Sequence, residues 1–517
     1  MVAAALAGFG TMAVELSAVR LIAPWFGTSQ TVWTQVIAVV LLGLSVGYVL
    51  GGRLGQRPGI PRRLAVTLVV SGLVTAVLPS LAEPVSRWFV PEGLTLADSL
   101  DILGWGSLAS SLVLFLVPSI LFGTVAPQVV EELSRRGLDA ARAGGFVLAV
   151  GTVGSFLGVY GTSEWAIPVL GLAWTFRVAA SSLALGGLVV ALGQRAIGVS
   201  AAALVVPLAA VLAGPVSYTA PEGWSLLDEA QSTYQNVRVV EAPAELGGFR
   251  QLQVNESYDS YQSVWYPEPG WLPAGYYYND VALPYFWEGE PTTWRVLILG
   301  LGGGTAARVL EGVVNESTKL DVHGVELDPK VVEFARRHLD LKLAAENVRA
   351  GEDARLALRS LGGDWDMIYL DCYANQIEIP PHLATVEFFS EIRRALRAGG
   401  WLVANVGGFD EHDPIVCSIG ATLATAFERE CAGLRVAKAR NWTLLARRDA
   451  ELPVVHAAGR VDQVPEAVRH VLGPRELEGM VASFGPDAGR VLVDHFAPTE
   501  RLQRDSLAYA RARRQEP

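Results

Sequence analysis

Val296-Leu297-Ile298-Leu299-Gly300-Leu301-Gly302-Gly303-Gly304-Thr305 is the stretch from which the second half of the chain can be read. Four apolar residues in a row suit a strand buried on both faces. The glycines suit a turn in which the backbone approaches something closely, and Thr305 to Glu311 continues with a helical pattern. Leu320-Asp321-Val322-His323-Gly324-Val325-Glu326 then reads as a second strand ending in an acid, followed by a helix from Pro329 to Leu339. Strand, glycine loop, helix, strand, acid is the order of a nucleotide-binding unit. Bare backbone and a helix N-terminus face the ligand, and a carboxylate about 20 residues on holds two ribose hydroxyls.

A glycine loop alone is a common turn; the continuation gives it weight. Asp353, in Gly351-Glu352-Asp353-Ala354-Arg355, follows a third short strand and is placed to accept from an adenine amino group. Trp365 to Leu370 reads as a fourth strand ending in Asp371, and Gly399-Gly400-Trp401-Leu402-Val403-Ala404-Asn405 as a turn and a fifth strand. Glu326, Asp353 and Asp371 then lie at the carboxyl ends of parallel strands, where open α/β sheets bind ligands. The only lysines are Lys319, Lys330, Lys342 and Lys438, none beside the glycines. That disfavours a phosphate-bearing cofactor and suits S-adenosylmethionine or a relative better than NAD.

Outward from this unit the composition changes. The chain has 517 residues, 51% hydrophobic and only 18% charged, with mean hydropathy +0.32, which suits a membrane protein and excludes a disordered or fibrous one. Residues 1–216 hold 11 arginines, no lysine and 9 acids, leaving 30 basic and 43 acidic residues for 217–517. A membrane half therefore precedes an acidic soluble half. The acidity argues against nucleic acid and is compatible with cationic small substrates. Cys372, Cys417 and Cys431 lack the spacing of a zinc site or disulfide framework, and no metal is expected.

A bilayer span takes about 20 apolar residues, and seven stretches qualify or nearly so: 2–24, 32–51, 64–81, 103–126, 144–166, 171–193 and 197–216. Gly43, Gly47, Gly51 and Gly52, and Gly151, Gly154 and Gly158, would let helices approach closely. Arginines at 53, 57, 62, 63, 135, 136, 142 and 195 put their loops in the cytoplasm, and the loop with Glu83, Glu92, Asp98 and Asp101 outside. Seven spans would leave the soluble half outside, whereas an adenosyl cofactor is made in the cytoplasm; the cofactor tips the expectation slightly toward a cytoplasmic soluble half of a multi-pass protein in the cell membrane. Glu15 and Arg20 lie within the first span, five residues apart, so each meets another helix, a cavity or the interface rather than its partner one turn on.

The expected domains are a transmembrane helical bundle (1–216), a small antiparallel β domain (217–290), a Rossmann-like, methyltransferase-type α/β domain (291–450) and a helical tail (451–517). The β domain is read from short alternating runs such as Val237-Arg238-Val239-Val240 and Leu252-Gln253-Val254. Residues 411–433 read as a helix, Val436 to Ala446 as a closing hairpin, and the Arg-rich tail as helix broken at Pro498, with a surface for the site, the bilayer or a homodimer.

Residues 218–405 resemble the spermidine synthase family of aminopropyltransferases. Ser232-Thr233-Tyr234-Gln235 is similar to its S-x-Y-Q opening, Tyr278-Asn279-Asp280 to its tyrosine-containing cofactor segment, and Ile379-Pro380-Pro381-His382-Leu383-Ala384-Thr385-Val386-Glu387-Phe388-Phe389 to its gatekeeping loop and following helix. With the preceding helices and Ala497-Pro498-Thr499-Glu500 near the end, the chain resembles the bacterial membrane-fused spermidine-synthase-like proteins. The resemblance implies a catalytic set of Asp371, Tyr234 and Tyr278. It implies nucleoside contacts at Gln235, Gly300, Gly302, Gly303, Gly304, Thr305, Glu326, Asp353, Ala354 and Asp371, and substrate contacts at Tyr373, Asn279, Asp280 and His382. The implied co-substrate is decarboxylated S-adenosylmethionine or S-adenosylmethionine, the acceptor a putrescine-like amine and the other partner the bilayer.

Two positions depart from the family. Thr305 stands where an aspartate usually follows the glycines, and Ala374 where a second aspartate follows the catalytic one. Loss of both suits a doubly charged diamine less, and a neutral Thr305 tolerates the carboxylate of intact S-adenosylmethionine. Asp259, Glu378 and Glu387 are candidates to restore the missing charge. Three readings follow: aminopropyl transfer to an amine; transfer of a methyl or aminocarboxypropyl group from the intact sulfonium; and a polyamine or nucleoside transporter or sensor whose soluble half only binds. No internal repeat supports the last.

Overall fold

The computed structural model describes residues 1–90, 102–212, 220, 222–255, 261–373, 379–436, 439–452, 466–471 and 481–515. The chain forms two compact units. The first is built from Met1–Thr219 with Ala230–Asn236 and Asn255–Tyr258. Among its described residues six helices are long and apolar enough to cross a bilayer: Val2–Phe26, Gln30–Gly55, Ile60–Phe89, Gly104–Arg135, Ala140–Leu170 and Leu172–Gly193. The seventh expected stretch is a shorter helix, Ile197–Leu212, about 24 Å long at 1.5 Å per residue. It runs back along its predecessor, where Arg177 Nε donates to the Ala210 carbonyl at 2.9 Å.

Glycine decides how closely these helices meet. A Cβ at Gly154 would overlap the Ala5 carbonyl, and one at Gly47 the Ile120 carbonyl, so neither position admits a side chain. Gly52 and Gly151 do not share this role, since a Cβ at Gly52 would meet open space and one at Gly151 only an ordinary contact at 3.9 Å. Arg135 Nη2 donates to the Gly55 and Gln56 carbonyls at 2.9 and 3.0 Å, and the short turns after it set the following helices antiparallel, which gathers Arg57, Arg136 and Arg195 at one end of the bundle. Arg20, near the opposite end of the first helix, donates to the Ser232 carbonyl at 2.9 Å and to that of Thr233. The turn at residues 232–235 therefore belongs to the end away from the arginines, and Arg20 anchors that turn.

The second unit holds Ala220–Glu229, Val237–Val254 and Asp259–Pro517. The strands are β1 Ser225–Gln231, β2 Asn236–Glu241, β3 Arg250–Val254, β4 Ser263–Trp265, β5 Thr293–Leu299, β6 Lys319–Glu326, β7 Val348–Ala350, β8 Trp365–Leu370, β9 Leu396–Gly407, β10 Cys431–Arg435, β11 Asn441–Arg447 and β12 Val481–Phe484. The first four form a sheet in sequence order, with β2, β3 and β4 pairing antiparallel. The rest form one eight-stranded sheet, β12-β10-β11-β9-β8-β5-β6-β7. β5 pairs parallel with β6 (Leu299 opposite Val325) and with β8 (Leu299 opposite Leu370); β8 pairs parallel with β9, and β11 antiparallel with β9.

Val296, Leu297, Ile298 and Leu299 are fully buried because both faces are covered. The order reverses at β5: the chain moves from β5 to β6 and β7 on one side, then to β8 and β9 on the other. Such a reversal opens a crevice at the carboxyl ends of the central strands.

The carboxyl-terminal part departs from expectation. The helix expected over 411–433 ends at Phe427, and 431–435 is strand β10. Glu428, in the left-handed region at φ 57°, closes that helix, and the alternating apolar run after it pairs into the sheet. The tail is not simply helical either: Val481–Phe484 pairs with β10 before the helix Thr499–Gln515 begins. Pro498 precedes that helix, where its missing amide loses nothing.

Candidate active site

The glycine loop leaves β5 and turns back on itself. Gly300, at φ +85°, lies against the Asp371 backbone, and an added Cβ would overlap the Asp371 carbonyl. Gly302 N donates to Glu326 Oε2 at 2.9 Å, Asp328 N donates to Oε1 at 3.1 Å, and Gly303 N donates to Ser263 Oγ at 2.6 Å. Gly304, also left-handed, opens the helix Thr305–Val313. Burial pushes the Glu326 carboxyl up to about 6, against its backbone hydrogen bonds. A ribose diol donating to it would replace the water it lost.

Asp353 caps the helix Ala354–Ser360, its Oδ1 accepting from Arg355 N at 3.0 Å and Leu356 N at 3.2 Å. Its Oδ2 meets His382 Nε2 at 2.9 Å. Burial alone would raise this carboxyl, but His382 and the two amides hold it below the usual range. His382, expected at the substrate, instead partners the carboxylate expected to read adenine. Its loop is braced from behind: Arg355 binds the His382 carbonyl (3.1 Å) and both Asp494 oxygens (2.7 and 2.9 Å).

Asp371 follows β8. Its amide donates to the Leu299 carbonyl at 2.9 Å, fixing it to the glycine loop's strand. Asn405 Nδ2 donates to Oδ1 at 2.8 Å and Tyr277 Oη to Oδ2 at 3.2 Å. Asn441 Nδ2 donates to Asn405 Oδ1 at 2.8 Å and so turns the Asn405 amide toward Asp371. Burial raises the Asp371 carboxyl to about 6, and the two neutral donors counter this only in part. Its partners here carry no positive charge.

The structure brings Gly300, Gly302, Gly303, Gly304, Glu326, Asp353, Ala354, Asp371 and His382 to the tips of neighbouring strands β5, β6, β7 and β8. Other expected site residues are engaged elsewhere. Thr305 Oγ1 donates to the Val264 carbonyl at 2.9 Å and accepts from Val264 N at 3.1 Å, so it pins β4. Asn279 bonds Leu272 N and O at 2.9 and 3.0 Å, and buried Asp280 accepts from Thr443; both hold the framework. Tyr278 Oη donates to the Gln262 carbonyl at 2.7 Å, and it is Tyr277 that reaches Asp371. Tyr373 Oη lies 2.8 Å from Gly407 N and 3.3 Å from the Asn405 carbonyl. Tyr234 and Gln235 lie in the first unit, in the turn that Arg20 anchors. Ala374, Asp259 and Glu378 lie outside the described residues.

Tyr277, Asn405 and Ser263 escaped the sequence reading. A polar residue ending the apolar run Trp401–Ala404 was the one available signal for Asn405. Tyr276-Tyr277-Tyr278 offered no way to choose among three tyrosines.

The family model of the spermine/spermidine synthase domain matches residues 286–438, the span that carries every carboxylate of the crevice. Residues 286–438 form a spermine/spermidine synthase domain. A "Probable polyamine aminopropyl transferase" of Bifidobacterium longum is 28% identical over 255 residues, 47% of this chain and 55% of that protein. A polyamine aminopropyltransferase of Vibrio vulnificus is 37% identical over 120 residues, 22% of this chain and 38% of that protein. The chain thus spans about half or less of the length of these relatives. Among solved structures, a probable spermidine synthase from Corynebacterium glutamicum aligns over 54% of this chain and 97% of its own, at 20% identity and TM-score 0.42.

Proposed function

We propose that this chain is a membrane-bound transferase that moves an aminopropyl group from decarboxylated S-adenosylmethionine to a small amine. The observation that carries the reading is Asp371: a carboxylate in a buried crevice, held by two neutral donors, beside a glycine loop and two further acids. Glu326 would hold the ribose and Asp353 the adenine amino group, once His382 yields its oxygen. The amine nitrogen attacks the methylene next to the sulfonium. An N–C bond forms, the C–S bond breaks with its electron pair going to sulfur, and a neutral thioether, methylthioadenosine, leaves. The surplus proton on nitrogen goes to Asp371, whose oxygens each keep a lone pair beyond the bonds from Asn405 and Tyr277.

A carboxyl near 6 is ionised at neutral pH and still basic enough to orient an amine and take up its proton. The leaving group departs neutral, so the step needs no electrophile to stabilise it. Incubation of the purified full chain with decarboxylated S-adenosylmethionine and a panel of amines tests the reading. Methylthioadenosine supports it; S-adenosylhomocysteine from the intact cofactor would support methyl transfer instead.

Membrane attachment belongs to the same proposal and is supported by the six long apolar helices. A nucleoside made in the cytoplasm places the soluble half there. The arginine rule, applied to the helix order, puts the Ser232 end of the bundle on the other side, and the labelling described below separates the two.

A further inference from the structure

Beside Tyr373, whose hydroxyl feels both Asp371 and Arg440, lies a cation that aminopropyl transfer does not itself require. β10 and β11 form a hairpin that ends on Arg440 and Asn441. Asn441 begins the chain of bonds through Asn405 to Asp371, each 2.8 Å, and Gly408 N donates to the Arg440 carbonyl at 2.9 Å. Gly407 lies between the Arg440 carbonyl and the Tyr373 hydroxyl, each 3.7 Å from where its Cβ would be.

The Arg440 guanidinium stacks on Phe409, its Cζ 4.5 Å from the ring centroid. Its Nε is buried without a hydrogen-bond partner among the described residues. Asp413 acts on it only at a distance; its oxygens accept instead from Ile415 N at 3.0 Å, Phe409 N at 2.9 Å and Ser506 Oγ at 2.6 Å. A buried guanidinium with an open donor wants an anion. The same charge repels the distal ammonium of a diamine.

We infer that Arg440 binds an anionic group on the acceptor, so that the acceptor is an amine bearing a carboxylate, held amine-first at Asp371 and carboxylate-last at Arg440. This rests on the transfer reaction proposed above and names its substrate class. The probes are 4-aminobutyrate and 1,4-diaminobutane, equal in chain length and differing in the charge of the far end. The full chain should use 4-aminobutyrate with a kcat/KM about tenfold or more above the diamine. Arg440→Gln should remove that advantage by lowering kcat/KM for 4-aminobutyrate and not lowering it for the diamine, and Arg440→Lys should retain part of the advantage. Preference for the diamine by the unaltered protein, or an equal loss for both amines in Arg440→Gln, would overturn the inference.

Calorimetry with methylthioadenosine present gives a readout independent of turnover. If neither amine releases methylthioadenosine but 4-aminobutyrate binds and loses that binding in Arg440→Gln, the reaction is wrong and the anion site stands. Absence of 4-aminobutyrate binding to the unaltered protein overturns the site itself.

Discussion

Replacing Asp371 with asparagine should stabilise the protein while silencing it, and the pH dependence of the gain is the telling part. The carboxyl stands at about 6 in the folded chain against 3.8 in the unfolded one. A raised acid contributes stability below the unfolded value and loses it as pH rises through the folded one. Two units at about 1.4 kcal/mol each set an upper bound of about 3 kcal/mol lost by pH 8. Asp371 keeps part of its surface exposed, which brings this down to ~1–2 kcal/mol.

Asparagine keeps the shape: its Oδ1 still accepts from Asn405, and its amide donates to the Tyr277 oxygen. Asp371→Asn should therefore melt a few degrees above the unaltered protein at pH 8, with the gap closing toward pH 4, followed by thermal unfolding of the full chain in detergent. Turnover should fall by about 10²–10⁴. Equal melting temperatures at pH 8, or a gap that widens on acidification, would refute the claim that Asp371 is a buried, strained carboxylate.

Other consequences are more local. The unaltered protein's kcat/KM should rise with pH through about 6 as Asp371 ionises; a profile flat across that range argues against its role as base. His382→Ala frees Asp353 Oδ2 and should tighten methylthioadenosine binding by up to about tenfold, whereas weaker binding would make His382 a ligand contact. Thr305→Val removes both bonds to Val264 and should destabilise the second unit by about 1–3 kcal/mol without changing which nucleoside product forms. Gly300→Ala, which drives a methyl into the Asp371 carbonyl, should abolish nucleoside binding. In the bundle, Gln56→Cys and Thr233→Cys should react with an impermeant thiol reagent from opposite sides of the membrane. The enzyme reading expects Thr233→Cys to be protected in intact cells; labelling there would require the nucleoside to be supplied from outside.

Much of this was legible in the sequence because backbone chemistry dictated it. Val296–Leu299 had to be a doubly buried strand, Gly300–Gly304 a close turn, and the acids at 326 and 371 had to fall at strand ends, since each closes a strand-like run, while Asp353 follows the short strand Val348–Ala350. What stayed hidden depends on long-range contacts. Thr305 sits next to the glycines yet turns to Val264, 41 residues earlier, so its place in sequence misled about its chemistry. Tyr277 and Tyr278 differ only in which carbonyl or carboxylate lies opposite each ring. Strand β12 lies far along the chain from its partner β10, and a four-residue run gives no periodicity to detect. Gly47 and Gly52 look alike in sequence, and only the neighbouring helix decides which one is essential.

The central claim is that the crevice at Glu326, Asp353 and Asp371 carries out aminopropyl transfer. Mass spectrometry of the nucleoside product, from the detergent-purified full chain given both forms of S-adenosylmethionine and an amine mixture, tests it most directly. The account predicts methylthioadenosine from the decarboxylated form, lost in Asp371→Asn. S-adenosylhomocysteine as the sole nucleoside product, or methylthioadenosine release that persists undiminished in Asp371→Asn, would contradict it.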